Sequence, residues 1–228
     1  MKEQLATIMF TDFPFYYREG NFGDIYTIKE NINGKQYKML ALRSSDVVLD
    51  IGAHIGTFAV PVSMKVHRVI SVEMDLENYN VLALNTEIYP NISIIRAAVV
   101  SDNNDSRFVE YYRAKVNSGS HSIFVKKGRG DPIRCDTIKI GDLLDKYSPS
   151  IIKCDVEGSE YGIFEDLQLP DFVRQIIIEF HFGHKDWRDR ANNLISNIIA
   201  QGFRASDTTD MTENKNWTRV VYFRRELK

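Results

Sequence analysis

The chain has 228 residues, with 29 lysines and arginines against 31 aspartates and glutamates, a formal net charge of −2. Hydrophobic residues at 43% and charged residues at 26% are ordinary globular values, which exclude a fibrous or wholly disordered chain. A general polyanion binder would carry a basic excess that is missing here.

A core for a chain of this length buries about 70% of the unfolded surface, so no disulfide or metal staple is needed. Cys135 and Cys154 do not make a disulfide framework. The start, with Glu3 and an apolar stretch from Leu5 that stops at Asp12, makes a poor signal peptide. The uncharged run Ile51 to Met64 falls short of the ~20 residues of a spanning helix. The expectation is a soluble, cytoplasmic protein with no membrane partner.

Without repeats or Pro/Gly/Ser linkers, residues 1–228 read as one domain. In the N-terminal part (1–45), Asp24 to Ile32 and Lys35 to Leu40 flank Asn33-Gly34, a strong hairpin signal. From Val47 the pattern alternates buried strands and helices. Val47 to Ile51 is the first strand, and a helix follows at about Thr57 to Lys65. Arg68 to Glu73 is the second strand, Asp75 caps a helix over Leu76 to Glu87, and Ile92 to Val100 is the third strand. Residues 102–134 are polar and Gly/Ser-rich, an excursion from the sheet with strand-like pieces at Phe108 to Tyr112 and Ser122 to Val125. The alternation resumes with a helix at Ile138 to Tyr147, a strand at Ile151 to Val156, a helix at Ser159 to Leu167 and a strand at Arg174 to Phe180. A helix over Arg188 to Gln201, with Ala191, Leu194, Ile195 and Ile198 on one face, closes at Gly202. Phe203 to Ser206 and Trp217 to Phe223 form a final antiparallel pair. Such alternation predicts an α/β fold with a mostly parallel sheet covered on both faces. Ligands of these sheets bind beyond the carboxyl ends of the strands.

Asp50 to Gly56, DIGAHIG, links the first strand to a helix. Gly52 permits a tight turn with close backbone approach, and Gly56 lets the helix pack near the strand. About twenty residues on, Glu73 ends the second strand, where a carboxylate can accept both hydroxyls of a ribose. A dinucleotide site needs glycine where this chain has His54. Asp50 beside the loop suits a cationic amino group. S-adenosylmethionine, with a ribose, an ammonium and a sulfonium but no phosphate, fits both facts.

The segment VVLDIGAHIGTFA resembles motif I of class I S-adenosylmethionine-dependent methyltransferases. IIKCDVEGSEYGIFEDL, from Ile151 to Leu167, resembles the K-x-D-x-E-G-x-E hallmark of the FkbM-type family. Further matches are Glu73 and Asn85, Ala97 to Asp102, and Ile176 to His181, so the resemblance spans roughly residues 24 to 182. It implies a three-layer Rossmann-like fold, a seven-stranded sheet with an antiparallel last strand, and O-methylation. It also implies S-adenosylmethionine contacts at Asp50, Gly52, Ala53, His54, Gly56, Glu73, Met74, Ala98 and Asp155. The family often has proline after Glu73; this chain has Met74-Asp75.

Lys153 and Asp155 lie two apart on one strand, and Glu179 and His181 two apart on the next, so each pair projects to one side. These four are the catalytic candidates. His181 is the expected base, with an ordinary pKa of ~6.5, oriented by Glu179 or Asp155. Glu160 reads equally well as an acid stabilising a helix start. A divalent metal on Asp155, Glu179 and His181 is the lesser reading, so no metal site is assigned. His121 and His184 are candidates to border the acceptor, and Trp187 or the aromatics of Phe13 to Tyr17 to stack on it. The acceptor is read as a sugar or other small molecule. The alternative is a nucleic acid, supported by short basic runs at Lys126-Lys127, Arg129 and Arg224-Arg225.

Overall fold

Runs of β-branched and leucine residues form the centre of the molecule. The computed structural model describes residues 4–10, 13–31, 39–114, 118, 121, 123, 130–207, 211–213 and 216–226. Strands β1 (Leu5–Phe10) and β2 (Phe13–Arg18) make an N-terminal hairpin, followed by α1 (Phe22–Asn31). Then come β3 (Val47–Ile51), α2 (Ala59–Ser63), β4 (Arg68–Glu73), α3 (Leu76–Thr86), β5 (Ile92–Arg96), β6 (Ala98–Val100) and β7 (Phe108–Tyr111). The second half holds β8 (Ile133–Lys139), α4 (Ile140–Tyr147), β9 (Ile151–Cys154), α5 (Glu160–Phe164), β10 (Gln175–His181), α6 (Trp187–Ala200), β11 (Phe203–Ala205) and β12 (Thr218–Arg225).

The main sheet has seven strands in the order β11-β12-β10-β9-β3-β4-β5. β12 runs antiparallel to both neighbours, while the pairs from β10 through β5 are parallel. This is the expected mostly parallel sheet with an antiparallel last strand. Alternate residues of each strand serve opposite faces. Leu49, Ile70, Ile152 and Ile176 meet α4, α5 and α6 on one side. Val48, Val69, Ile151 and Ile177 meet Phe58 and Val62 around α2 on the other. The face expected on α6 is the buried one, with Ala191, Leu194, Ile195 and Ile198 all in the core.

Three expectations are corrected. The strand expected over Asp24 to Ile32 is helix α1, because the Asn21 side chain accepts the N–H groups of Gly23 and Asp24 and caps its start. The N-terminal hairpin is β1–β2 instead, and Asn33-Gly34 lies outside the described residues. The third strand divides at Ala97. β5 stays at the sheet edge beside β4, whereas β6 leaves to pair with β8 in a small sheet of order β6-β8-β7. The helix expected from Ile138 starts at Ile140, because β8 continues to Lys139 to hold that pairing. Within 102–134, Phe108 to Tyr111 is a strand as expected, and Ser122 to Val125, apart from Ile123, falls outside the described residues.

The chain leaves β3 toward β4 and β5 on one side, and leaves β9 toward β10 on the other. Between β3 and β9 is therefore a switch point, where the carboxyl ends diverge and leave room for a ligand.

Candidate active site

A cavity of about 440 Å³ opens at this switch point. Its floor is the carboxyl ends of β3, β4, β9 and β10, and α1 supplies part of its wall through Tyr26, Thr27 and Glu30.

The loop after β3 explains its own glycines. Gly52 sits at φ +79, and an added Cβ would lie 1.8 Å from the Asp155 carbonyl oxygen, so only glycine allows the two loops to meet. At Gly56, φ +91, a Cβ would come within 2.9 Å of Leu82 on α3. His54 between them adopts φ 53, unusual for a residue with a side chain. Tertiary contacts hold it there. Its Nε2 lies 2.8 Å from Ser118 Oγ and 3.3 Å from Asp24 Oδ1, and its Nδ1 lies 3.3 Å from Thr27 Oγ1. Burial drives its pKa down to about 4, with Asp24 offsetting only part of that cost.

Glu73 lies at the end of β4, 6% exposed. Its Oε2 accepts the His54 N–H and its Oε1 the Asp75 N–H, both at 2.8 Å, which fixes the carboxylate in orientation. Burial raises its pKa to about 7 against the pull of those two bonds. Asp75 caps α3 as expected, accepting from Glu77 and Asn78 N–H, and also accepts the Tyr111 hydroxyl at 2.8 Å. His121 approaches Asp75 at 3.8 Å and lines the cavity there.

At the opposite end lie the groups just after β9 and at the carboxyl end of β10. His181 Nε2 is 3.8 Å from Asp155 and 3.6 Å from Glu157, and its Nδ1 is 3.3 Å from Glu160. Burial disfavours the charge on this imidazole, but the carboxylates outweigh it and push the pKa up to about 10. The imidazole thus holds its proton more tightly than the ordinary histidine expected at this position. Glu179 has its pKa raised to about 8, first by burial and then by the neighbouring Asp155 charge.

Of the expected cofactor residues, Gly52, His54, Glu73, Met74, Ala98 and Asp155 line the cavity. Asp50, Ala53 and Gly56 lie behind it and shape the loop. Asp50 Oδ1 is 3.1 Å from Lys153 Nζ, an ion pair whose angles fall short of a hydrogen bond. Burial raises the Asp50 pKa against the pull of Lys153. Lys153, expected among the catalytic groups, points under the loop: its ammonium donates to the Gly52 carbonyl at 3.1 Å and lies 3.9 Å from Asp155. Burial opposes its charge, but Asp50 and Asp155 hold its pKa above the ordinary lysine value. Glu179 and His181 face the cavity together.

Of the stacking candidates, Phe15 is buried, and Trp187 lines the cavity but is only 6% exposed, its ring centroid 5.5 Å from that of Tyr161. His184 is exposed, pairs with Asp186 and does not line the cavity. The exposed aromatics on the cavity are Tyr26, at 65%, and Trp217, at 78%. Sequence reasoning missed Tyr26 and Glu30 because α1 read as a strand; helical spacing i, i+4 was the signal that puts them on one face. Among the described residues no lysine or arginine lines the cavity, and no cluster is suited to a metal ion.

The family pattern described as Methyltransferase FkbM domain matches residues 50–205. The chain belongs to the FkbM methyltransferase family. That match covers the glycine loop and the groups at the carboxyl ends of β9 and β10, while Tyr26, Glu30 and Trp217 of the cavity wall lie outside it. No curated protein matches it in sequence. Among solved structures, an FkbM methyltransferase from Methylobacillus flagellatus KT is 18% identical, with a TM-score of 0.47 over 81% of this chain and 45% of its own. The FkbM-family chain thus spans less than half the length of that neighbour. TYW2 of M. jannaschii, solved in complex with AdoMet, is 15% identical over 99% of this chain and 89% of its own, TM-score 0.47. Fibrillarin of Aeropyrum pernix, with natively bound S-adenosyl-L-methionine, is 13% identical over 97% and 82%, TM-score 0.48. No described helix is long and apolar enough to cross a membrane.

Proposed function

We propose that residues 1–228 act as one methyltransferase domain that moves a methyl group from S-adenosylmethionine to a hydroxyl oxygen of a sugar or other small molecule. The observation that carries this is Glu73: a buried carboxylate on the cavity wall, oriented by two backbone N–H groups, with further lone pairs left to accept ribose hydroxyls. The rest of the wall fits the same cofactor. Gly52 gives close backbone approach, Met74 and Ala98 offer apolar contact, and Asp155 is the carboxylate open to an ammonium in place of the buried Asp50. His54 occupies the position where a pyrophosphate site needs glycine.

Bound there, the cofactor supplies a methyl carbon already activated by its sulfonium. The chain's contribution is to hold the acceptor oxygen in line, an effect worth ~7–11 kcal/mol when orientation is good, and to take its proton. Glu179 is the better base: its pKa near 8 is matched to neutral operation, whereas His181 already carries its proton. Asp155, Glu157 and Glu160 keep that imidazolium at the edge of the cavity, where it can donate to the acceptor. A nucleic-acid acceptor is disfavoured, because phosphates need cations that the described wall lacks. Of the basic runs, Lys126-Lys127 and Arg129 lie outside the described residues. Arg224 and Arg225 sit at the far end of the sheet, where Arg225 ties down the Val173, Gln201 and Leu169 carbonyls.

Calorimetric titration with S-adenosylhomocysteine tests this reading. Replacing Glu73→Gln removes charge-assisted hydrogen bonds worth ~1.5–3 kcal/mol, so affinity falls by ~10–100-fold. In the parent chain affinity rises as pH passes upward through about 7 and Glu73 ionises. Unchanged affinity in the variant would remove the basis of the proposal.

A further inference from the structure

Trp217 is 78% exposed, far more than the other tryptophan of the chain, Trp187, at 6%. Its backbone, by contrast, is pinned. The Phe182 N–H donates to the Trp217 carbonyl at 2.9 Å, and Arg188 Nη2 donates to the neighbouring Asn216 carbonyl at 3.0 Å. The Arg188 guanidinium in turn lies 4.3 Å over the Phe182 ring, and Thr218 pairs in register with His181. A large indole is thus carried to the cavity on a rigid strand end with its faces open to solvent. Exposing that much aromatic surface forgoes the stabilisation that burial would bring, while two backbone bonds keep the residue from folding inward.

The wall around it completes a pattern. Tyr26 on α1, 65% exposed, lines the same cavity, as do Glu30 one helical turn on and Glu179. An aromatic face attracts the slightly positive C–H edge of a partner ring. An ionised carboxylate only accepts hydrogen bonds, so Glu30, and Glu179 once it ionises near pH 8, suit hydroxyl donors. A nucleobase would stack equally well on the indole, but its phosphates would find no lysine or arginine on the described wall to receive them.

We propose that Trp217 is the acceptor platform and that the acceptor is a saccharide, its ring stacked on the indole and its hydroxyls received by Glu30 and Glu179. This rests on the cavity being the methyl-transfer site and names the substrate class that site takes. Trp217 sets acceptor specificity and plays no part in holding the cofactor.

The two tryptophans make the test direct. With S-adenosylhomocysteine bound, quenching by acrylamide, a neutral probe the carboxylates do not repel, reads the exposure of Trp217. Methyl pyranosides and disaccharides are added as acceptor probes, with uridine monophosphate as the anionic control. Quenching comes almost wholly from Trp217, and a saccharide stacked on one face of its indole leaves the other face open, so the quenching constant is expected to fall about twofold. Saturation-transfer NMR from protein to sugar C–H protons should persist in Trp217→Phe and vanish in Trp217→Ala, with S-adenosylhomocysteine affinity equal in all three proteins. Failure of every saccharide to shield Trp217, shielding by the nucleotide instead, or an undiminished signal in Trp217→Ala overturns the proposal. Failure of S-adenosylhomocysteine to bind the parent chain overturns the methyltransferase reading itself.

Discussion

Glu160 holds His181 at two points: its Oε1 accepts the His181 backbone N–H at 2.8 Å and lies 3.3 Å from the ring Nδ1. Its second oxygen accepts the Gly158 N–H at 2.8 Å. One fully buried carboxylate therefore locks the turn after β9 to the end of β10, the two segments that carry Asp155, Glu157 and His181. The Tyr161 hydroxyl adds a third tie, donating to the His181 carbonyl at 2.8 Å. The acid that read equally well as a helix-start residue is a cross-strand brace.

Glu160→Gln should lower the His181 pKa from about 10 toward its ordinary value, read by NMR titration of the imidazole. Because the folded pKa is raised, the imidazolium's contribution to stability is full below about pH 6.5 and is lost as pH rises toward 10. In the variant the upper end of that window moves down. The glutamine NH₂ also faces a backbone N–H, which leaves an unsatisfied buried donor and costs ~1–3 kcal/mol in denaturant unfolding. An unchanged His181 titration would show that the carboxylate does not set the charge.

What the sequence made legible follows from which forces act locally. The buried strands, the α3 cap at Asp75 and the apolar face of α6 depend on residues close in the chain, and they stand where patterning puts them. Gly52 and Glu73 were readable because a tight turn and a strand end leave residue signatures. Roles that depend on distant partners were not. Helix α1 is settled by the Asn21 cap and by Asp24 bonding Arg18, which brings Tyr26 and Glu30 to the cavity. His181 carries carboxylates from another strand's loop, so its ordinary pKa gave no guide. Asn85 matched the family, but its work is tertiary: it binds the Tyr16 backbone and the Ile55 carbonyl, tying the N-terminal hairpin to the glycine loop after β3. Trp217 had no signal, since exposure is a property of the folded surface alone.

Glu179→Gln should lower kcat by ~10²–10⁴-fold, the range for loss of a positioned base, while S-adenosylhomocysteine affinity stays within about twofold. In the parent, the rate should rise with pH until Glu179 ionises near 8. A flat profile over that range, or a variant with parental kcat, would assign proton removal elsewhere.

Gly158 is held at φ +104, and an added Cβ would sit 2.3 Å from the Trp187 ring. Trp187 cannot withdraw, because it is packed on Tyr161 at 5.5 Å, and Gly183 approaches it from another side, where a Cβ would lie 3.2 Å away. Gly158→Ala therefore combines overpacking, ~1–3 kcal/mol, with a backbone conformation costing a further ~1 kcal/mol or more. The midpoint in urea should fall accordingly. Because the Gly158 N–H also anchors Glu160, the displacement reaches His181, and its titration should shift down as in Glu160→Gln. By contrast, Gly162→Ala on α5, where a Cβ meets nothing within 4 Å, should leave both measurements unchanged or raise stability slightly through helix propensity. Equal effects from the two alanines would mean that Trp187 moves freely and that the brace is not rigid.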